Sequence, residues 1–361
     1  MSNIKEYRPK SKGQWAITQS KLEQGKIPML DLQFGGGCNA RCVYCDTPNY
    51  TAPNNIDMEA IKKIIEGGNI DWVFLCGLGE PTARETGNRD KFKYLLGLAH
   101  ENGVKVSAFT NIIDIDKEIL DYIDNETLSV LHKLDSFNSE RVAKTFGINE
   151  KAAKKHLENV EILREIASNK HAIDTNIGAS IVLTNKNYDE AERLIDHCLE
   201  NGIFPFYGEL ENSGKSTGKL YKDLNPTQEQ VKRVKDLFSA RGIADYRPPL
   251  CPSQFASVHI DNNNMVSIAH GSGLACSWCT LCDNNKVKRV NIGDIREKSY
   301  EQICDEIWAD RFDMYKGLKE LAKHTDKSIV GGCGGNQSEV LCTQLNITRK
   351  AAKSKGVELE N

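Results

Sequence analysis

Three cysteines fall within the stretch FGGGCNARCVYCDTPN, residues 34 to 49, in the spacing Cys38-x3-Cys42-x2-Cys45. Thiolates so placed can hold three corners of a [4Fe-4S] cube. The fourth iron then lacks a protein ligand, and a substrate or cofactor can chelate there. Structural zinc is the alternative. It wants four ligands, usually as two pairs, and no fourth Cys or His lies nearby in sequence. Gly35, Gly36 and Gly37 let the backbone turn closely around such a cluster. Their amides can also hydrogen-bond to its sulfurs and tune its potential.

A second group, Cys276-x2-Cys279-x2-Cys282, has the tight spacing of ferredoxin-type clusters, with Cys251 before it and Cys333 after it. The chain has twelve cysteines in all. A disulfide framework belongs to small secreted domains. The N-terminal MSNIKEYRPKSKGQWAITQ has no apolar region of a secretory signal, so metal binding is the better reading of the clusters. Cys198 in DHCLE and Cys304 in EQICDEIW sit in helical patterns and read as buried structural thiols.

These groups need a scaffold. From about residue 29 to 210 strand-like and helix-like segments alternate. IPMLDLQF, DWVFLCG, KVSAFT, LSVLHKL, IGASIVL and IFPFYGEL read as strands, with amphipathic helical segments such as MEAIKKIIEGG and KFKYLLGLAHENG between them. Such alternation implies an α/β fold, a partial (β/α)6 TIM-like barrel whose chemistry gathers at the C-terminal ends of the strands. The cysteine run, GLGEPT, TNI, KLDS, LTN and YGELENSG each follow a strand, so all would lie at one mouth.

After about residue 243 the character changes. SVHIDNNNMVSIAH reads as a hairpin turned by DNNN, followed by the second thiol group, a strand-like KRVNIGDI and a helical SYEQICDEIWADRF. The expected domains are an N-terminal extension 1–28, a barrel 29–243, a small C-terminal cysteine-rich domain 244–345 and a polar, frayed tail 346–361. The net charge of -3 gives no footprint for nucleic acid, and no apolar run approaches the roughly 18 residues of a membrane span. The expectation is a soluble, cytoplasmic protein with neither nucleic acid nor membrane as partner.

CNARCVYC resembles the radical S-adenosylmethionine (SAM) signature CxxxCxΦC, with Tyr44 as the aromatic Φ. The resemblance covers roughly residues 29 to 210 and implies that Cys38, Cys42 and Cys45 hold a [4Fe-4S] cluster whose open iron is chelated by SAM. One electron would cleave the cofactor, and the 5'-deoxyadenosyl radical would take a substrate hydrogen atom. Carried over by position, Gly77-Leu78-Gly79-Glu80 resembles the family's GGE station, with Leu78 a departure that a backbone contact tolerates. Glu80 would accept from the SAM ammonium. The resemblance also implies SAM contacts from Thr110 and Asn111 and from Lys133 and Asp135 at the ribose and carboxylate station. Ser180 is a further candidate, and Tyr207 could face the adenine or be a core aromatic. GELENSGKS is not a phosphate-binding loop, because five residues rather than four separate Gly208 from Gly214.

Residues 251 to 340 resemble the SPASM/twitch extensions of radical SAM enzymes. The cysteine expected after the hairpin is missing near Ala269-His270, so the resemblance implies one auxiliary [4Fe-4S] cluster held by four of Cys251, Cys276, Cys279, Cys282 and Cys333. An auxiliary cluster could accept an electron and make the reaction an oxidation. The expected function is a radical SAM oxidoreductase or epimerase acting on a small biosynthetic metabolite, reduced by a flavodoxin or ferredoxin. The alternative is a ribosomal-peptide maturase, and the remote one is a non-catalytic electron carrier. About 28 residues precede the first strand, too few for the recognition module many peptide maturases carry, which favours the small molecule.

Overall fold

The computed structural model describes residues 19–45, 53–75, 79–170, 175–208, 210, 212, 214–243, 257–270, 288–324 and 337–359. Gly77, Cys251, Cys276, Cys279, Cys282 and Cys333 lie outside the described residues. The chain divides into two compact units. One includes Phe34–Asn54 and Leu75–Ala244, the other Ser11–Gln33, Asn55–Phe74 and Asp245–Asn361. The α/β expectation holds: six strands, β1 (Met29–Leu32), β2 (Trp72–Leu75), β3 (Lys105–Thr110), β4 (Leu128–Lys133), β5 (Ile177–Val182) and β6 (Phe204–Gly208), alternate with helices.

In the first unit β3 to β6 lie side by side in the order β6-β5-β4-β3, each pair parallel. Their C-terminal ends therefore share one edge. β3 and β4 show period-two burial, with Val106, Ala108 and Thr110 buried on β3 and Leu128, Val130 and His132 on β4. The helices are α2 (Asn88–Glu101), α3 (Lys117–Asp124), α4 (Ser139–Phe146), α5 (Glu150–Ala167), α6 (Ala191–Glu200), α7 (Gly218–Leu224) and α8 (Gln228–Ala240), which follow α1 (Met58–Glu66) of the other unit. Short polar residues start several of them. Asp116, Asn138 and Asn149 each accept a backbone N–H of the first turn of α3, α4 and α5. α2 packs on β3, α3 on β4 and α6 on β6.

In the second unit the order is β2-β1-β7-β8-β9, with β7 (Ser257–Ile260), β8 (Met265–His270) and β9 (Lys288–Asp294). β7 runs parallel to β1, pairing Leu30 with Val258 and Leu32 with Ile260. It returns antiparallel as β8 through the expected turn, where Asn264 takes the left-handed conformation at φ 71°. The Asn264 side chain also accepts from Asp57 N at 2.6 Å and donates to Asn55 O at 2.9 Å, which fixes the entry to α1. Two helices close the chain, α9 (Tyr300–His324) and α10 (Gln337–Ser354). They pack on each other, and α10 buries Ile347, Thr348, Ala351 and Ala352. The C-terminal segment thus ends in a packed helix rather than the expected frayed one, because its few apolar positions recur at helical spacing. Among the described residues no helix is long and apolar enough to cross a membrane.

Candidate active site

The cysteine loop is docked on the C-terminal end of α4. Arg41 N donates to Phe146 O at 2.7 Å, and Val43 N to Thr145 O at 2.9 Å. Gly147, at φ 60°, ends α4, and a Cβ there would meet Arg41 O at 2.5 Å. Ala40 is buried with Ile113, Val142, Phe146 and Ala153, and Cys38 and Cys42 pack on that cluster. The far end is tied by Lys215 N donating to Cys45 O at 2.9 Å.

None of the three cysteines is in a disulfide, and all three are half-buried. Burial pushes the Cys38 thiol up to about 12, helped by the Glu80 carboxylate and by Cys42 and Cys45. Burial likewise raises Cys42, against the pull of Lys133. Left to the protein alone these two are neutral thiols. Among the described residues no group of three side chains is set to hold a single metal ion, whereas three free thiols in one loop, one per iron, fit the donor set of a [4Fe-4S] cluster with one iron left open. Ala40 N (3.4 Å) and Asn111 Nδ2 (3.9 Å) already point donors at Cys38 Sγ.

Glu80 lies beside this loop, fully buried. Its Oε1 accepts from Thr82 N (3.0 Å), Thr82 Oγ1 (2.7 Å) and Thr110 Oγ1 (2.6 Å), and its Oε2 from Asn111 N (2.6 Å). Burial raises its pKa, and these hydrogen bonds oppose the rise. All four donors are neutral, so the carboxylate is oriented yet uncompensated, which fits a cationic group such as an ammonium. Gly79 allows the close approach. At φ 76°, its Cβ would meet Gly35 O at 2.5 Å and Gly36 O at 2.9 Å. Asn88 Nδ2 staples the same two loops, donating to Gly35 O (3.0 Å) and Glu80 O (3.2 Å).

A second buried carboxylate, Asp135, follows β4. It accepts from Val182 N at 2.9 Å and from the Tyr44 hydroxyl, with Lys133 Nζ 3.6 Å away. The Lys133 ammonium also lies 4.1 Å from the Tyr44 ring centroid. Burial and Asp135 hold the Tyr44 phenol well above its usual range, so it stays a donor. Asn187 Nδ2 donates to Asp135 O (3.1 Å) and Val182 O (2.9 Å) and fixes the strand ends.

The structure therefore brings together Cys38, Cys42, Tyr44, Gly79, Glu80, Thr110, Asn111, Lys133 and Asp135. Ser180 pairs in register with Lys133 and shares its face. Tyr207 is elsewhere. It pairs with Ile181, and its ring packs 5.2 Å from that of Phe238 in the cluster of Leu183, Ile195 and Val234. Sequence reasoning missed Asn39, Thr82, Asn88, His156, Asn159 and Asn187. Thr82 alone carried a local signal, two residues after Glu80 in GEPT.

Streptococcus suis SuiB bound to S-adenosylmethionine is similar at a TM-score of 0.51 and 16% identity, over 80% of this chain and 69% of that one. anSMEcpe with bound AdoMet is similar at a TM-score of 0.56 and 13% identity, over 91% and 94%. At these identities the likeness is one of fold. Among curated proteins no sequence matches this chain. Residues 32–202 match the Radical SAM superfamily, so the chain carries a Radical SAM domain over a span that holds the three-cysteine loop, Glu80, Asn111 and Asp135.

Proposed function

We propose that Cys38, Cys42 and Cys45 ligate a [4Fe-4S] cluster and that the mouth formed by Glu80, Thr110, Asn111, Lys133 and Asp135 binds SAM. When bound, the two supply one-electron cleavage of SAM and the 5'-deoxyadenosyl radical that takes a substrate hydrogen atom. The chain's part is to orient and to exclude water. Glu80 receives the SAM ammonium, Gly79 keeps the backbone close enough for that contact, and Asp135 offers its carboxylate to the ribose once Tyr44 yields its hydrogen bond. Lys133 faces the carboxylate side, and Ser180 on the same face is a further contact. Gly77 belongs to the same reading by sequence alone. The observation that carries the proposal is the buried Glu80 carboxylate, with four neutral donors, beside three half-buried thiols outside any disulfide.

The substrate we propose is a small biosynthetic metabolite that is oxidised or epimerised, with the electron delivered by a flavodoxin or ferredoxin in the cytoplasm. A second reading, a peptide substrate, draws on the fold likeness to anSMEcpe, which is solved with AdoMet and the Kp18Cys peptide at a TM-score of 0.53. One auxiliary [4Fe-4S] cluster, on four of Cys251, Cys276, Cys279, Cys282 and Cys333, belongs to the same proposal, with the barrel over 29–243 and the cluster domain over 244–345. The test is iron and acid-labile sulfide per chain after anaerobic reconstitution, in the wild type and in a Cys38→Ala, Cys42→Ala, Cys45→Ala variant. The expected result is loss of about four irons and of all 5'-deoxyadenosine formation, with about four irons kept. A variant that keeps full iron content sinks the assignment. One that is nearly iron-free removes the auxiliary cluster.

A further inference from the structure

α5 carries two buried polar side chains that the chemistry above does not use, His156 and Asn159. Both reach the loop that leaves β3. His156 Nδ1 lies 2.9 Å from Asn111 O, which can only accept, so the proton is on Nδ1. Asn159 Nδ2 donates to Ile112 O at 2.7 Å and Ile113 O at 3.2 Å. Three consecutive carbonyls are thus held by two side chains three residues apart on one helix face. The three amides are held as well. Asn111 N donates to Glu80 Oε2 (2.6 Å), Ile112 N to Thr110 Oγ1 (2.9 Å) and Ile113 N to Asn111 Oδ1 (3.0 Å). At the centre Ile112 is fully buried at φ 54°, a left-handed conformation that a β-branched residue adopts only under constraint. This conformation lets Asn111 turn its side chain to Asn39 Oδ1 (2.6 Å) and toward Cys38 Sγ (3.9 Å) while its amide caps Glu80. An unconstrained isoleucine would relax and carry the Asn111 donors away from both groups.

We propose that His156 and Asn159 are positioning residues that lock the strained Asn111–Ile113 loop, and through Asn111 set the potential of the cluster on Cys38 and the SAM affinity at Glu80. This rests on the proposed cluster and SAM site. Donors to a cluster's sulfurs tune its potential, and a helix side chain that fixes such a donor acts one shell further out. Both residues act through the Asn111–Ile113 backbone that they hold.

The experiment uses the full chain with His156→Leu, Asn159→Leu and His156→Asn, the last keeping a donor near the position of Nδ1. Three quantities are read. In cluster-free protein, amide hydrogen exchange over residues 110–114 is expected to speed up at least tenfold in each leucine variant and to return to within threefold in His156→Asn. In reconstituted protein with wild-type iron content, the EPR-monitored midpoint potential is expected to shift in the leucine variants. SAM is expected to bind them at least fivefold more weakly, with both properties restored in His156→Asn. Unchanged exchange overturns the lock, whatever the cluster does. Faster exchange with unchanged potential and SAM affinity leaves the pair a structural role only and also overturns the proposal. Failure of both leucine variants to fold does the same. A wild type that takes up no cluster instead overturns the underlying cofactor reading, and the exchange data still judge the lock.

Discussion

At the scale of single residues, the site turns on a carboxylate that the fold buries before any cation arrives. Glu80 gathers four neutral hydrogen bonds, and burial still raises its pKa. A positively charged ligand gains the most from such a group, since the desolvation cost is already met in folding. Glu80→Gln keeps the shape and removes the charge. Hydrogen bonds to charged groups contribute about 1.5–3 kcal/mol, so SAM affinity of the reconstituted protein is expected to fall at least about tenfold. Iron content stays at the wild-type value. Equilibrium SAM binding beside an iron assay checks this, and unchanged binding would remove Glu80 from the ammonium. Asp135 is different, because it already has partners in Tyr44 and Lys133. Asp135→Asn is expected to weaken SAM less than Glu80→Gln, as the same binding assay would show.

At the scale of elements, the loops depend on glycines that let backbones meet. Gly79 sits at φ 76°, with Gly35 O only 2.5 Å from where a methyl group would stand, and that carbonyl belongs to the turn that leads into Cys38. Gly103 has a similar φ of 67° but open space around it. Gly103→Ala should cost only the left-handed penalty, about 1–2 kcal/mol. Gly79→Ala adds a backbone clash and should lose more stability and most of the iron uptake. Thermal melts and iron assays on the two variants separate the effects, and equal losses would refute the close-approach argument. The elements themselves were legible. KVSAFT is β3 to the residue and the DNNN hairpin forms, because alternation and turn chemistry are local. Cys198 and Cys304 are buried in helices as read. Tyr207 was ambiguous because a strand's face is fixed by register. It pairs with Ile181 on the buried face, while Phe206 pairs with Ser180 on the other. Asn88, His156 and Asn159 left no signal. Each serves a backbone carbonyl far along the chain, and one sequence does not reveal such a partner.

At the scale of the whole molecule, the first unit carries a pH liability in its buried histidines. His132 on β4 and His156 on α5 are both fully buried, each with an unpartnered Nε2 among the described residues. Burial lowers His132 to about 3, with the nearby His156 and His197 adding to the effect. It lowers His156 to about 4, against the hydrogen bond to Asn111 O and the Asp135 charge. The unfolded chain takes up these protons near pH 6.5 and the native state does not. Below about pH 6.5 the unfolded state therefore binds more protons, and stability falls as pH drops toward the native values. The two histidines together should remove several kcal/mol between pH 7 and pH 4.5. Urea unfolding of cluster-free protein across that range measures the loss. In His132→Leu, which removes one titrating group, the fall from pH 7 to pH 4.5 should be about half as steep. An unchanged slope would mean that His132 is protonated in the native state and that the neutral core pair is wrong. A halved slope would show that the scaffold holding the cysteine loop keeps His132 neutral, and would leave the other half of the fall to groups such as the buried His156.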